Sequence, residues 1–307
     1  MKLQSRWIAA LSLAIVLAHS STSRGGELYV ISSGGNVGTI DTSSLAYTSV
    51  GSLGPAAPAE WWGGIAYDAN ANVLYGVERY SSNDLYTIDM GNGNATAVGS
   101  HGTQPLSGIA YDSKNGVLYT SQLTGTKLLT LDVSLAPPSV STDDEFDSSQ
   151  FIGALAYDTK RDQLVGWYEF EDDYFAIDID PITGQATLTQ LYGDGSATHG
   201  SNIGDLTYDL DLDLFWGVDW NGSLFSLDPN DPFTPYKPTN LLDLVSLVGA
   251  FPAGIAYIYS LPNDPNSPSP LHSPEPTSLA AFGVAALALG LARARRRRRP
   301  PSETACG

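Results

Sequence analysis

The chain has 307 residues, enough to bury a sizeable core in one or two domains, and its 31 Gly and 16 Tyr with only 2 Met suit short strands and tight turns better than helices. Between residues 25 and 273 stand 31 acidic residues against six basic ones (Arg79, Lys114, Lys127, Lys160, Arg161 and Lys237), a balance of −25. Such a field repels phosphate backbones and excludes nucleic acid as a partner, leaving cations, basic surfaces, neutral glycans or plain solvation as its use. The single cysteine, Cys306, lies near the end of the chain, so no disulfide framework holds the body.

In chain order, Lys2 and Arg6 precede an apolar stretch from Trp7 to Ala18, followed by the small residues Ala18 and Ser20 around His19. The stretch is short for a permanent span, and the pattern is that of a cleaved secretory signal over residues 1–23. The body then repeats. Gly64-Ile-Ala-Tyr-Asp68, Gly108-Ile-Ala-Tyr-Asp112, Ala154-Leu-Ala-Tyr-Asp158 and Asp205-Leu-Thr-Tyr-Asp209 recur, and Gly254-Ile-Ala-Tyr257 is a last copy with Ile258 in place of Asp. Their tyrosines stand 44, 46, 51 and 49 residues apart, a blade-like period. Each Tyr is followed by a polar turn and a second apolar strand, as in Leu74-Tyr75-Gly76, which reads as a hairpin. A third strand ends in Asp each time, at Asp89, Asp132, Asp178 and Asp228, and a fourth is clearest at Ala95–Gly99 and Ala186–Thr189.

The first unit lacks its opening strand, beginning at Leu28-Tyr29-Val30, while the last opening strand has no successor. Together they complete one blade. The expectation is an all-β chain: a β-propeller of five four-stranded blades over residues 26–260, closed by pairing of its N- and C-terminal segments. A β-solenoid or an open sandwich is the alternative.

Residues 261–278 are rich in Pro, Ser and Asn and read as a linker. Leu279–Ala292 is apolar, about 21 Å long as a helix and short of a ~30 Å hydrocarbon layer, and six arginines follow between Arg293 and Arg299. The arginines would hold this end cytoplasmic and leave the body outside. Pro274-Glu275-Pro276, the apolar segment and the arginine cluster, in that order, resemble the PEP-CTERM sorting signal of exosortase substrates. That resemblance implies an exosortase-type sorting protease as partner. It implies anchoring in the inner membrane during transit, and delivery to the cell surface or an extracellular matrix. It covers residues 274–299 only, and Pro300–Gly307 extends beyond the family's usual end.

Loop order supplies the candidate sites. The Asp after each repeat Tyr is placed to accept backbone hydrogen bonds in its own turn; calcium is the ion that Asp209-Leu-Asp-Leu-Asp213 would otherwise suit, but the EF-hand Gly and terminal Glu are missing. No Gly-x-Ser-x-Gly, His-Glu-x-x-His or phosphate loop occurs. In a propeller the loops between second and third strands share a face with those leading into the next blade. This gathers Trp61, Trp62 and His101 with Glu78, Arg79, Glu169, Asp172, Asp173, His199, Asp219 and Trp220. Of these, Glu78, Glu169, His199, Asp219 and Trp220 are the candidate ligand-binding residues. Aromatic faces beside carboxylates can hold an extracellular polysaccharide, the rings stacking on C–H faces while the carboxylates accept from hydroxyls. The bland alternative is polar loops with Trp packed between blades. The function expected is a noncatalytic binding or structural propeller, with no cofactor. A five-bladed glycoside hydrolase or lyase is the competing reading, requiring two carboxylates about 5 to 5.5 Å or 6.5 to 9.5 Å apart.

Overall fold

The computed structural model describes residues 26–55, 62–80, 84–102, 105–134, 139–147, 151–168, 173–180, 185–192, 203–230 and 242–259, all within one compact unit. The signal segment, the linker and the sorting tail lie outside the described residues. Among those described, no helix is long and apolar enough to cross a membrane.

The expected five-bladed propeller is what the chain forms. The first blade joins β1 (Glu27–Ser32), β2 (Asn36–Asp41) and β3 (Tyr47–Ser52) to the last strand, β20 (Pro252–Ile258). The second is β4 (Trp62–Asp68), β5 (Val73–Glu78), β6 (Asp84–Ile88) and β7 (Ala95–Ser100). In the third, β8 (Leu106–Asp112), β9 (Val117–Gln122) and β10 (Lys127–Asp132) precede β11 (Ser139–Asp147); in the fourth, β12 (Ile152–Asp158) and β13 (Gln163–Tyr168) precede β14 (Asp173–Asp180) and β15 (Gln185–Tyr192). The fifth runs β16 (Ile203–Asp209), β17 (Leu214–Asp219), β18 (Ser223–Leu227) and the two-residue β19 (Leu242–Asp243). Closure is antiparallel, Leu28 opposite Tyr257 and Ile31 opposite Gly254.

Local chemistry explains why each repeat folds the same way. The fifth residue after the repeat Tyr is left-handed in all four complete turns, at Asn72, Gly116, Asp162 and Asp213, with φ of 55°, 72°, 56° and 56°. Asn, Asp and Gly tolerate that conformation best. The Asp after the Tyr closes the same turn: Asp68 Oδ1 accepts from the amides of Asn70 and Ala71 at 2.8 and 3.0 Å. Asp112, Asp158 and Asp209 repeat the pattern at 2.9 to 3.0 Å. The turn-capping role expected of these residues is therefore what they perform.

Inner strands are buried on both faces because each packs against two neighbouring blades, so their apolar runs are nearly continuous. Five apolar clusters fill the five interfaces. One sets Ile31 and Ala256 against Trp62 and Ile65, joining the first blade to the second. Another sets Leu28, Ile255 and Tyr257 against Trp216 and Leu224, joining the first to the fifth. The remaining three link the second to the third, the third to the fourth and the fourth to the fifth.

Three features were not visible in the pattern. The fourth strands β11 and β19 lack the Ala-Thr signature of β7 and β15. The outer edges of the third and fourth blades join in parallel, Asp147 opposite Gln185. A short helix, α1 (Leu244–Val248), follows β19, capped by Asp243 and ended by left-handed Gly249 (φ 74°).

Candidate functional site

The strand order creates two faces. On the turn face, carrying the Tyr-Asp hairpins, neighbouring blades are tied by polar side chains. Asn70 Nδ2 donates to Ser113 O at 2.7 Å, Lys114 pairs with Asp162, and Lys160 with Asp213. Arg161 forks to Asp213 at 2.8 and 3.2 Å and to Asp158 at 2.7 Å. The three acids of the proposed calcium motif are each committed elsewhere. Asp209 takes turn amides and Trp216 Nε1 at 3.0 Å, and Asp211 takes the Tyr257 hydroxyl at 2.6 Å. Asp213 takes Arg161, Lys160 and the Tyr208 hydroxyl, and these cationic partners hold its carboxyl far below the usual carboxylate range. Among the described residues no group of three His, Cys, Asp or Glu side chains could hold a metal ion.

The opposite, loop face is built by a bulge that recurs where each inner strand begins. The register slips between Trp62 and Gly64, Leu106 and Ile109, Ile152 and Ala154, and Ile203 and Asp205. A bulge bends the strand end and re-aims the neighbouring side chains. Trp62 is fully buried opposite Glu78, and Ile203 stands opposite Asp219 in the equivalent place. Glu78 and Asp219 are not open carboxylates on a rim. Both are buried, Glu78 Oε1 accepting from the Tyr80 amide at 3.1 Å and Asp219 Oδ1 from the Ser223 amide at 2.8 Å. They shape their own loops.

Trp220 is half-buried, and the Arg79 guanidinium lies over it at 4.9 Å from the ring centre. The same guanidinium lies 5.8 Å from the ring of Tyr80, which is 57% exposed. The second and fifth blades thus contribute to one Tyr80–Arg79–Trp220 stack, which loop order alone did not reveal. His101 is buried, and desolvation pushes its imidazole down to about 4 against the opposing pull of Asp84, so it is neutral at pH 7. Glu169 and His199 lie outside the described residues, as do Trp61 and Asp172.

Between the faces, Asp205 occupies the axis. It stands where the other inner strands carry Gly64, Gly108, Ala154 and Gly254. Its side chain is fully buried, and Oδ2 accepts from the amides of Ile65 at 3.0 Å and Ile255 at 2.8 Å, tying the fifth blade to the second and first. A Cβ on Gly64 would fall 2.9 Å from Asp205 Oδ1, which is why that position carries no side chain. Burial pushes the Asp205 carboxyl well above the ordinary range despite these amides. Sequence reasoning passed over Asp205, although comparing the five repeats isolates it as the lone acid in a column of small residues.

No family model matches the chain, and no curated protein matches it in sequence. Among solved structures it is similar to one chain of a nidogen/laminin complex, at 14% identity over 77% of this chain and 99% of that one, with a TM-score of 0.51. It is similar also to a protein of unknown function from Bacteroides thetaiotaomicron, at 16% identity and a TM-score of 0.51 over 77% of this chain and 63% of that one. At such identities a likeness carries the fold alone, and that fold, a β-propeller, is compatible with a binding module.

Proposed function

We propose that this chain is an exported surface or matrix protein whose propeller binds an extracellular polysaccharide on the loop face without converting it, and whose tail is read by an exosortase-type sorting protease. The observation that carries the binding reading is the Tyr80–Arg79–Trp220 stack. The exposed Tyr80 ring and the half-buried Trp220 ring offer partners to the C–H faces of a sugar, with the buried Arg79 guanidinium held against both. Glu78 and Asp219 speak against hydrolysis, because both are buried and one oxygen of each accepts from an amide of its own loop. The export reading rests on the signal-like N-terminus and on the order of Pro-Glu-Pro, apolar segment and arginines. Glu27 and Ile258 stand opposite one another at the turn-face ends of β1 and β20, away from the Tyr80–Arg79–Trp220 stack.

The binding test is a glycan array run beside a hydrolysis screen on the full chain, followed by Trp220→Ala. Loss of one aromatic stack is expected to weaken glycan binding roughly threefold to tenfold, the equivalent of about 0.5–1.5 kcal/mol, with little change in melting temperature. Turnover that Glu78→Gln or Asp219→Asn abolishes would make the domain a hydrolase instead. The sorting test is deletion of residues 274–307, which is expected to move the protein from the envelope fraction into the medium. A truncated chain that still fractionates with membranes would sink the sorting reading.

A further inference from the structure

The channel's turn-face mouth is a cavity of about 40 Å³, lined by the repeat tyrosines of all five inner strands together with Tyr259 and Thr159. The rings are held in place by their hydroxyls, which donate away from the axis into the turns. Tyr67 donates to Asn72 Oδ1 at 2.9 Å, Tyr157 to Asp162 Oδ1 at 2.5 Å, Tyr208 to Asp213 Oδ1 at 2.7 Å and Tyr257 to Asp211 Oδ2 at 2.6 Å. A phenol that donates to a carboxylate carries a more electron-rich ring. The phenols stay protonated, because burial and nearby acids raise them, Tyr111 to about 12. Beside the rings, Thr159 Oγ1 is buried and has no hydrogen-bond partner among the described residues. The cations of the surrounding turns, Lys114, Lys160 and Arg161, are paired with Asp162, Asp213 and Asp158, while Asp68, Asp112 and Asp211 stand in the same turns with no cation paired to them among the described residues, so the rim is net negative.

Size and chemistry select the occupant. One water needs about 10–15 Å³, so this cavity admits a water-sized head group and is too small for a sugar ring. Aromatic walls inside an anionic rim favour a cation, and an unpartnered hydroxyl offers it an acceptor. We propose that the turn-face mouth binds a primary ammonium group carried on a flexible chain, with the ammonium donating to Thr159 Oγ1 and lying against the tyrosine rings. A lysine side chain of a partner and a free polyamine share this chemistry. The site is separate from the loop-face stack and does not depend on it.

The test titrates the full chain with cadaverine and with Nα-acetyl-lysine N-methylamide, using pentane-1,5-diol as the uncharged comparator. Saturable binding of an amine that weakens with added salt, and that the diol does not reproduce, is the expected result. Binding of cadaverine alone identifies free diamines as the source, whereas binding of the lysine amide identifies a lysine-bearing partner. Thr159→Val should lower amine affinity at least fivefold without lowering the melting temperature, since it removes a buried hydroxyl that has no partner. Should that variant fold poorly, Tyr157→Leu, which removes one wall, gives the second reading with the same expected loss. The proposal is overturned if neither amine binds below about 10 mM, if the diol binds as tightly, or if folded variants keep full affinity.

Discussion

Deleting residues 254–259 should abolish cooperative folding of the propeller. The segment carries Ile255, Ala256 and Tyr257, all buried, and supplies the strand that pairs with β1. It also takes part in both apolar clusters that flank the first blade. Removing one large core side chain costs about 2–5 kcal/mol, and here two go together with a whole ladder of backbone hydrogen bonds. Against a total stability of about 5–15 kcal/mol, that loss leaves little or nothing. Thermal or denaturant unfolding of the full-length and internally deleted chains checks it. A deleted chain that still unfolds in one sharp transition at a similar temperature would show that the ends do not close the ring, since only a solenoid loses stability locally at its terminus.

The second large effect belongs to Asp205. Asp205→Ala leaves the amides of Ile65 and Ile255 buried without an acceptor, at about 1–3 kcal/mol each, and adds a void on the axis. A loss of about 2–6 kcal/mol should lower the melting temperature by roughly 5–20 °C in a domain of this size. Asp205→Asn keeps an oxygen for both amides and should be close to neutral at about pH 4, where the folded parent holds its proton. The pH dependence separates charge from shape. With the carboxyl raised in the folded state, the folded chain holds a proton that the unfolded chain gives up near pH 3.9. The contribution is fully present below that value and is lost as pH rises through the folded pKa. Stability of the parent should therefore fall relative to Asp205→Asn as pH rises from about 4 towards neutrality. Asp213 and Asp162, held low by their cationic partners, act in the opposite direction and only below the ordinary carboxylate range. Equal pH profiles for parent and Asp205→Asn would mean that the axial carboxyl is not raised.

The closing strand was legible in the sequence, whereas the axial role of Asp205 was not. Blade count, hairpins and closure could be read because one strand-turn-strand unit repeats and because each turn needs the same left-handed residue, met by Asn72, Gly116, Asp162 and Asp213. The role of Asp68, Asp112, Asp158 and Asp209 was legible for the same reason, since an Asp heading such a turn finds the amides two and three residues on. The loop face was legible only as a neighbourhood. Loop order gathers Glu78, Asp219 and Trp220, but whether a carboxylate points at solvent or folds back on its own amides is a matter of side-chain packing. It folds back in both cases. Arg79 was read as one polar loop residue among several, and its place over Trp220 arises from the approach of two blades far apart in sequence. The outer strands β11 and β19 escaped notice because β11 carries few apolar residues in its sequence and β19 is only two residues long.

A propeller that binds polysaccharide on its loop face without turnover should show the contact in its backbone exchange and leave the ligand whole. The decisive measurement is hydrogen–deuterium exchange of the full chain, with and without a polysaccharide that it binds. Expected are protection of the backbone around Glu78–Tyr80 and Asp219–Ser223, unchanged exchange in the Tyr-Asp turns at Asp68, Asp112, Asp158 and Asp209, and recovery of the polysaccharide at its original length. Protection confined to those turns, or a shortened polysaccharide, would rule out noncatalytic binding on the loop face.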